Sequence, residues 1–510
     1  MPGKLGTRLA EACAVFGPAI AASAPGTVLS YTDLAAHAGS VTAALQAAGI
    51  QASEPVHIKV SNDPLDLAAL LGVWQAGAVA VPIHRTTPAV AVAAVQAKSG
   101  ARFLVDMRRR ADGPESAPSD ISLISPTSLI SIISPQAPPV RPLLADAAFV
   151  IFTSGSTGTP KGVVVAHDAF AGKMEQIDSL LAFGRGERSL LVLNITFSFG
   201  LWISLLTLIK GGTLVMQEKF EPASFLQTLI DERITRVGMV PTMMRVLFSR
   251  VELVEVIAAV DRAAMLRQIL IGGESLGHSL AHTIRHSFSR SDLIDIYGLT
   301  ETATCDFFSF PRDYAIHPGC IGRTSPNVQY RIVDPDGAVL STGAVGELQL
   351  RSPYLMNGYL DEPALSAAAF SDGWFRTGDL ARTVGDEMVE LMGRSKEIIS
   401  RGGNKVTPVE IEQVLCAHPD IAAAMVVGVA DPVLGERIHA LVVTRIGTVI
   451  DVSAVRRFLQ DRLERFKQPD VYYFQDEMPL GRTGKADRGQ LKSMIISGAL
   501  PPASMPEKLV

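Results

Sequence analysis

Helix-like and strand-like segments alternate from near the start of this 510-residue chain. Apolar residues recur at helical spacing over Tyr31–Ile50 and Pro64–Gln75. Between and after them, Pro55–Val60 and Ala78–Ile83 have the short apolar character of strands. The same alternation returns at Ala148 and continues to about residue 300. Strands that alternate with helices are typical of a parallel sheet covered by helices, so we predict a large α/β domain.

The pattern changes twice farther along the chain. Beyond Gly319, short strands broken by Gly, Pro and Asp predict a β-rich subdomain. After Gly393 a small α+β unit follows, with a helix over Pro408–His418, two strands and a helix over Val452–Arg465. We therefore predict an α/β fold whose large N-terminal domain, residues 1–393, has mixed or parallel sheets and the β-rich subdomain. Residues 394–510 are predicted to form a small mobile C-terminal domain. Residues 112–144, rich in Ser, Pro and Ile, suit a linker and short strands equally and receive no function.

Composition excludes several classes of protein. Hydrophobic residues make up 47% and charged residues 19%, which favours a folded core over disorder. A net charge of −5 argues against a nucleic-acid partner, which usually requires a basic face. No apolar run reaches the length of about 18 residues expected for a membrane span, and no secretory signal is recognised at the N-terminus. The four cysteines are widely spaced, without a C-x-x-C pair, and this predicts a cytoplasmic protein without disulfide or zinc framework.

The segment FTSGSTGTPKG, from Phe152 to Gly162, carries the strongest chemical signal. Glycines allow the backbone N–H groups to approach a polyanion, hydroxyl groups add donors, and Lys161 adds a mobile positive charge. The order of residues differs from a Walker A loop, because Pro160 precedes the lysine and Gly162 follows it. A plain turn between two strands is the alternative. We predict a phosphate-binding loop made by Thr153, Ser154, Gly155, Ser156, Thr157, Gly158 and Lys161.

This loop resembles the signature loop of the adenylate-forming superfamily, which includes acyl- and aryl-CoA ligases, adenylation domains and luciferases. Six further segments resemble the family's motifs, occur in its order and extend the resemblance over nearly the whole chain. They are Ile271-Gly-Gly-Glu-Ser, Tyr297-Gly-Leu-Thr-Glu-Thr, Trp374-Phe-Arg-Thr-Gly-Asp-Leu, Gly393-Arg-Ser-Lys-Glu, Gly403–Glu412 and Pro479–Lys485.

The resemblance implies a role for each motif residue. It places Gly272, Gly273, Glu274, Tyr297 and Gly298 around the adenine, Thr300 at the α-phosphate, Glu301 on Mg²⁺, and Asp379 and Arg394 at the ribose. It also implies that Lys485 bridges the substrate carboxylate and the α-phosphate, that Lys396 is the interdomain hinge, and that Gly403 leaves room for the pantetheine thiol. The ordinary alternatives are a core residue for Tyr297, a helix-capping pair for Thr300 and Glu301, and a turn aspartate for Asp379. Arg394 is alternatively an exposed linker arginine, and Lys485 a solvated lysine.

The acyl pocket is predicted from Phe197, Phe199 and Trp202, which alternatively belong to the core. Amino-acid-activating members of the superfamily carry an aspartate after a phenylalanine in this region, whereas Ser198 or Gly200 stands there in this chain. An α-amino acid would lack a counter-charge for its ammonium group, so we predict an aryl or aliphatic acid. The histidine that many acyl-CoA ligases place after the phenylalanine is also absent. Three histidines at helical spacing suggest either a metal site or, as we prefer, an exposed helix face: His278, His282 and His286.

The predicted function is that of an ATP-dependent carboxylate–CoA ligase that forms an acyl-AMP and then an acyl-CoA, with ATP, Mg²⁺ and coenzyme A. Coenzyme A is favoured as the acceptor because the chain ends soon after Lys485 without a carrier domain. A separate acyl-carrier protein remains an alternative acceptor. A degenerate homologue that only binds nucleotide is an alternative from another class. Against it, the charged residues whose loss would be expected in such a homologue are all present: Lys161, Glu301, Asp379, Arg394 and Lys485. Luciferase-like oxidation is a remote further alternative.

Overall fold

The computed structural model describes residues 4–107, the backbone of 122–123, and residues 130–154, 160–445, 447–448, 450–480 and 486–503. No helix within these ranges is both long enough and apolar enough to cross a membrane. Part of the segment 112–144, to which no function was assigned, lies outside the described residues, namely 112–121 and 124–129. Its described part contains the short strands Ser122–Leu123 and Ile130–Ile132 and a 3₁₀ turn over Pro142–Leu144.

The first sheet has eight strands and contains the predicted strand over Pro55–Val60. Its central strands are parallel, and its edges are antiparallel. The strands are, in spatial order, Gly358–Tyr359, Pro160–Ala166, Ala147–Ser154, Val79–His84, Pro55–Val60, Phe103–Val105, Ile130–Ile132 and Ser122–Leu123.

The second sheet has nine strands, and six adjacent strands in it run parallel to one another. Antiparallel strands close both edges. The strands are, in spatial order, Arg323–Thr324, Phe307–Ser309, Asp292–Tyr297, Gln268–Gly272, Arg236–Met239, Arg188–Leu191, Thr213–Met216, Ile20–Ala24 and Thr27–Ser30.

Helices connect and cover these two sheets, and the largest apolar core contains residues of both sheets and of the helices between them. Pro64–Gln75 illustrates why a helix forms where the sequence predicts one. Asp63 caps its N-terminus in a capping box with Asp66, and proline occupies the first turn. The α-helices of this part are Lys4–Phe16, Tyr31–Ala47, Pro64–Gln75, Ala89–Ser99, His167–Leu181, Ser198–Ile209, Pro222–Asp231, Pro241–Phe248, Val254–Ala263, His278–Ser287, Pro311–Ile316 and Pro363–Ala368.

A third sheet of five antiparallel strands forms the β-rich subdomain that the sequence predicts after Gly319. Its strands are Gln329–Val333, Gly346–Arg351, Phe370–Ser371, Trp374–Val384 and Met388–Arg394. In this sheet Asp379 lies opposite Arg394, which brings two of the predicted site residues onto neighbouring strands.

The C-terminal part has a five-stranded sheet and its own apolar cores. The strands are Ile399–Arg401, Asn404–Val406, Ile421–Asp431, Gly435–Thr444 and Val471–Gln475, and the helices are Pro408–Cys416, Val452–Gln460 and Arg488–Ile496. The predicted α/β class, with a large N-terminal domain and a small C-terminal domain, agrees with this architecture.

The two parts meet at a short connection. Arg394 is the last residue of the third sheet, and the C-terminal sheet begins at Ile399. Between them, Ser395–Glu397 forms a single 3₁₀ turn. The division after residue 393 stays a prediction, and these strand ends are compatible with it.

Candidate active site

The predicted phosphate loop joins two antiparallel strands of the first sheet. Thr153 lies opposite Lys161, at the ends where the strands enter and leave the loop. The side chain of Ser154, the predicted loop residues Gly155, Ser156, Thr157 and Gly158, and also Thr159, lie outside the described residues. The Lys161 Nζ atom lies 5.5 Å from the centre of the Tyr359 ring, within the range of a cation–π contact.

The two predicted adenine motifs follow neighbouring parallel strands of the second sheet, with Gly272 beside Ile296. Because parallel strands end at the same sheet edge, Gly272 and Gly273 lie beside Tyr297 and Gly298. A Cβ atom on Gly272 would lie 2.4 Å from the carbonyl oxygen of Ile296, so a side chain there would displace the next strand. Close backbone approach is therefore the physical reason for glycine at this position.

Tyr297, Asp379 and Arg394 form one hydrogen-bonded chain. The Tyr297 hydroxyl donates to Asp379 Oδ2 at 2.6 Å, and Arg394 Nε donates to Asp379 Oδ1 at 3.0 Å. Burial raises the pKa of Asp379, and Arg394 opposes that rise, while burial and Asp379 raise the pKa of Tyr297 well above its usual range. A carboxylate has about four acceptor positions, so Asp379 retains capacity for further donors such as ribose hydroxyls.

Thr300 and Glu301 lie in a 3₁₀ turn directly after Tyr297-Gly-Leu. Glu301 is held from outside this turn, because the Tyr359 hydroxyl donates to its Oε1 at 3.0 Å. The backbone N–H of Met356 also donates to the Glu301 carbonyl oxygen at 2.8 Å. Burial and the neighbouring Glu301 raise the pKa of Tyr359, which therefore stays a donor.

Sequence reasoning missed Tyr359. Tyr359 is separated from Glu301 by 58 positions, and no motif spacing connects the two. The same tyrosine also faces Lys161, so it contacts both a residue of the predicted phosphate loop and the Glu301 carboxylate.

Tyr359→Phe is expected to lower the rate of acid-dependent pyrophosphate release about tenfold, since it removes one hydrogen bond to a carboxylate. Tyr330→Phe is the matched control, because the Tyr330 hydroxyl contacts Thr383 and Glu387 in the β-rich subdomain. Equal rates for the two variants would contradict a role for Tyr359 in orienting Glu301.

Glu274 makes contacts that its motif did not predict. Its carboxylate accepts hydrogen bonds from the Thr242 hydroxyl at 2.7 and 3.0 Å and faces Arg245 at 3.4 Å. Its Oε1 also accepts the backbone N–H of Ala486 at 3.1 Å. Lys485 and the rest of 481–485 lie outside the described residues, but the residue next to Lys485 in the chain is bound to the edge of the second sheet. Two of the contacts of Glu274 are therefore with the helix Pro241–Phe248, and the third joins it to the C-terminal part.

The predicted hinge and tunnel residues lie on the C-terminal side of the site. Lys396 is exposed in the turn Ser395–Glu397. Gly403 is the second residue of a two-residue hairpin loop in which Arg401 pairs with Asn404, and both glycines have positive φ, 55° and 82°. A Cβ atom on Gly403 would meet nothing within 4 Å, so in this conformation the left-handed backbone, rather than crowding, explains the glycine.

Of the three predicted pocket residues, one lies close to the predicted adenine strand and one belongs to the apolar core. Phe199 is partly buried, and its ring lies against Gly238 and Gly272 at the edge of the second sheet. Trp202 is completely buried and stacks on Phe199 with ring centres 5.7 Å apart. Phe197 caps the helix that carries both. Phe199 thus lies nearest the predicted adenine strand, whereas Trp202 belongs to the core and supports it.

The three histidines occupy an exposed helix face, as preferred from the sequence. His278, His282 and His286 are all exposed on the helix His278–Ser287. Among the described residues, no group of three or more His, Cys, Asp or Glu side chains can hold a metal ion.

Two family models match this chain. A family model described as "AMP-binding enzyme" matches residues 9–360, and one described as "AMP-binding enzyme C-terminal domain" matches residues 410–485. The chain belongs to the AMP-binding enzyme family. The predicted membership of the adenylate-forming superfamily, in its acyl- and aryl-CoA ligase branch, is confirmed. The predicted class of enzyme, an AMP-forming acid–thiol ligase, is confirmed with it.

Three relatives align over nearly their whole length. A feruloyl-CoA synthase of Amycolatopsis sp is 30% identical over 92% of this chain and 94% of its own. An indoleacetate–CoA ligase of Aromatoleum aromaticum is 31% identical over 92% and 93% of the two chains. A fatty acid–[acyl-carrier-protein] ligase of Streptomyces coeruleorubidus is 29% identical over 92% of each.

A solved structure confirms the fold class. The crystal structure of ATP-bound MatB from Rhodopseudomonas palustris superposes with a TM-score of 0.80 at 26% identity, and the match covers 97% of this chain and 99% of that one.

Proposed function

We propose that this enzyme uses Mg·ATP to activate an aryl or aliphatic carboxylic acid and then transfers the acyl group to coenzyme A. In the first step a carboxylate oxygen of the acid attacks the α-phosphorus, the bond to the bridging oxygen breaks, and acyl-AMP and pyrophosphate form. In the second step the thiol attacks the acyl carbon, gives up its proton, and displaces AMP. One observation carries the proposal: Lys161, Tyr297, Glu301, Asp379 and Arg394, from four segments of the chain, are joined by contacts through Tyr359 and the Thr300–Thr302 turn.

Each of these residues is assigned to a different part of the nucleotide. Tyr297 and the neighbouring glycines offer an aromatic face and a flat strand edge for the adenine, and Asp379 with Arg394 offers an acceptor and donors for the ribose. Lys161 and the hydroxyl-rich loop supply positive charge and donors for the phosphates. Thr300 is a hydroxyl donor for the α-phosphate.

The site fits Mg²⁺ held jointly by protein and nucleotide. Glu301 offers one carboxylate, and its Oε2 has no hydrogen-bond partner among the described residues. One or two carboxylates together with substrate phosphates are the usual ligands of Mg²⁺. When bound, the ion would neutralise phosphate charge, and Glu301 would hold it.

The acid is proposed to be uncharged beyond its reacting carboxylate. Phe199, backed by Trp202, lies close to Gly272 of the predicted adenine strand, and Ser198 and Gly200 beside it offer no counter-charge for an ammonium group. Relatives named for ferulate and indoleacetate support an aryl acid within this class.

Coenzyme A is the proposed acceptor, in line with the names of the two CoA-ligase relatives. A phosphopantetheinyl carrier protein is the second candidate, because one relative of similar identity is named as an acyl-carrier-protein ligase. Both acceptors present the same thiol chemistry to the acyl-AMP.

Pyrophosphate release across a panel of acids tests this function. Aryl and medium-length aliphatic acids are expected to give acid-dependent release, and α-amino acids are not. Repeating the assay with coenzyme A or with a phosphopantetheinyl carrier protein then identifies the acceptor by which thioester forms. If no acid produced an acyl-AMP in the presence of Mg²⁺ and ATP, the proposal would be wrong.

The C-terminal part is proposed to rotate about Lys396 between the two half-reactions. The contact of Ala486, the residue after Lys485, with Glu274 supports an arrangement suited to adenylation. Lys396 lies in a 3₁₀ turn, and 3₁₀ turns typically have φ values near the one that proline imposes. Lys396→Pro is therefore expected to retain pyrophosphate release while slowing thioester formation from supplied acyl-AMP by about tenfold or more.

Lys396→Ala is the matched control, because it removes the same side chain but leaves the backbone free. It is expected to perform both half-reactions at near the wild-type rate. Wild-type rates for the proline variant in both steps would show that rotation at Lys396 is not required.

A further inference from the structure

A fully buried ion pair lies directly behind the turn that carries Thr300 and Glu301. Lys173 Nζ contacts Asp306 Oδ1 at 2.8 Å, and both side chains are 0% exposed. Lys173 also approaches the carbonyl oxygen of Cys305 at 3.5 Å. Replacing a buried ion pair by apolar groups is often neutral or stabilising, so stability alone is a weak reason for this pair.

The carboxylate of Asp306 connects the pair to the turn. The Thr302 hydroxyl donates to Asp306 Oδ2, and the Leu299 N–H in turn donates to the Thr302 hydroxyl oxygen at 3.2 Å. The Asp306 N–H donates to the Tyr297 carbonyl oxygen at 2.7 Å. The segment Tyr297–Asp306 is thereby closed into a loop, with Thr300 and Glu301 on it.

This loop has an unfavourable backbone. Ala303, Thr304 and Cys305 follow one another with φ values of 53°, 78° and 47°, a left-handed conformation that residues with a side chain rarely adopt. The loop also folds back on Gly298, where a Cβ atom would lie 2.2 Å from the Cys305 nitrogen. Such a conformation persists only when the surrounding structure holds it.

We propose that Lys173 and Asp306 are positioning residues, which act through the Thr302 hydroxyl to hold Thr300 and Glu301 in their places for acid activation. An ionised carboxylate can only accept, so its bonds to Thr302 and to Lys173 each have one possible direction. Burial raises the pKa of Asp306, and the contact with Lys173 opposes that rise and favours the ionised form. The arrangement joins the helix His167–Leu181, which follows the phosphate loop, to the turn that holds the Mg²⁺-binding carboxylate. The inference rests on the function proposed above.

The chain offers a graded set of variants for its test. Asp306→Asn removes the charge, Thr302→Val removes only the hydroxyl, and Thr302→Ser restores it. Glu54→Gln is the matched control: Glu54 is a nearly buried carboxylate, with a side chain 1% exposed, and is paired with Arg102 at 2.9 Å away from this loop. Each variant is measured for melting temperature, for kcat and KM of pyrophosphate release, and for thioester formation from supplied acyl-AMP.

We expect kcat of pyrophosphate release to fall about 100-fold in Asp306→Asn, as for a misplaced catalytic group. Thr302→Val is expected to lose about tenfold, and Thr302→Ser to recover most of it. Thioester formation is expected to fall less, because Mg²⁺-bound triphosphate takes part only in the first step. Glu54→Gln is expected to melt at a lower temperature with kcat unchanged.

Two results would overturn the inference: wild-type kcat in Thr302→Val, or an equal loss of both half-reactions in all loop variants. If Asp306→Asn fails to fold, the comparison of Thr302→Val with Thr302→Ser still tests the inference. The wild-type enzyme is assayed first, because a wild type without pyrophosphate release contradicts the proposed function itself, whereas an active wild type with unaffected loop variants contradicts only the role of Lys173 and Asp306.

Discussion

Lys485→Ala is expected to lower acid-dependent pyrophosphate release by about 100- to 1,000-fold while leaving thioester formation from supplied acyl-AMP near the wild-type rate. Activation brings a carboxylate and a triphosphate together, and a lysine that bridges them stabilises the charge that develops at the α-phosphate. The thiol attack on a finished acyl-AMP involves no such approach of two anions. The bond from the N–H of Ala486 to Glu274 brings the neighbour of Lys485 to the edge where Tyr297 and Glu301 lie.

Lys492→Ala is the control for this substitution. Lys492 lies in the same C-terminal part, is 44% exposed, and faces Glu436 at 3.7 Å, away from Glu274. It is expected to retain both half-reactions. If Lys485→Ala slowed both half-reactions equally, the lysine would not be specific to acid activation.

Glu301→Gln is expected to reduce pyrophosphate release about 100-fold and to raise the Mg²⁺ concentration needed for half-maximal rate. Glutamine keeps the size of the side chain and one carbonyl oxygen that can still accept from Tyr359. It removes the negative charge that a hard cation requires. A Mg²⁺ titration of the initial rate, at saturating ATP and acid, separates this loss of ion binding from a loss of folding.

The control here is Glu362→Gln, a surface carboxylate three residues after Tyr359, 42% exposed and paired with Lys98 at 2.9 Å. It is expected to show the wild-type Mg²⁺ dependence. An unchanged Mg²⁺ dependence in Glu301→Gln would assign Glu301 a structural role only.

The elements that the sequence predicted well are those with local signals. The helix Pro64–Gln75 has the predicted bounds because Asp63, Pro64 and Asp66 form its cap within four residues. The helix predicted over Val452–Arg465 instead ends at Gln460. Residues Arg465–Lys467 form a separate turn, in which Lys467 pairs with Glu410 of another helix at 2.7 Å. That contact is between residues far apart in the chain, so no local pattern could indicate it.

The same distinction between local signals and long-range contacts applies to the site. The motifs identified the segments that carry Thr300, Glu301, Asp379 and Arg394, but not how they meet. The hydrogen bond from Tyr297 to Asp379 spans 82 positions, and the one from Tyr359 to Glu301 spans 58. Glu274 shows the limit most clearly, because its motif implied adenine binding whereas its carboxylate contacts Thr242, Arg245 and Ala486.

By itself, the sequence determined the α/β class, the order of the motifs, the kinds of chemical groups available and the family to which they belong. These properties depend on residues that are close together in the chain, because capping, periodicity and glycine-rich turns act over a few positions. Only the tertiary structure decided which side chains are partners: Tyr359 and Glu301, Asp379 with Tyr297 and Arg394, and the buried pair of Lys173 and Asp306 behind the Thr300–Thr302 turn. Hydrogen bonds and ion pairs act over about 3 Å in space whatever the separation along the chain, so the folded backbone alone selects these partners.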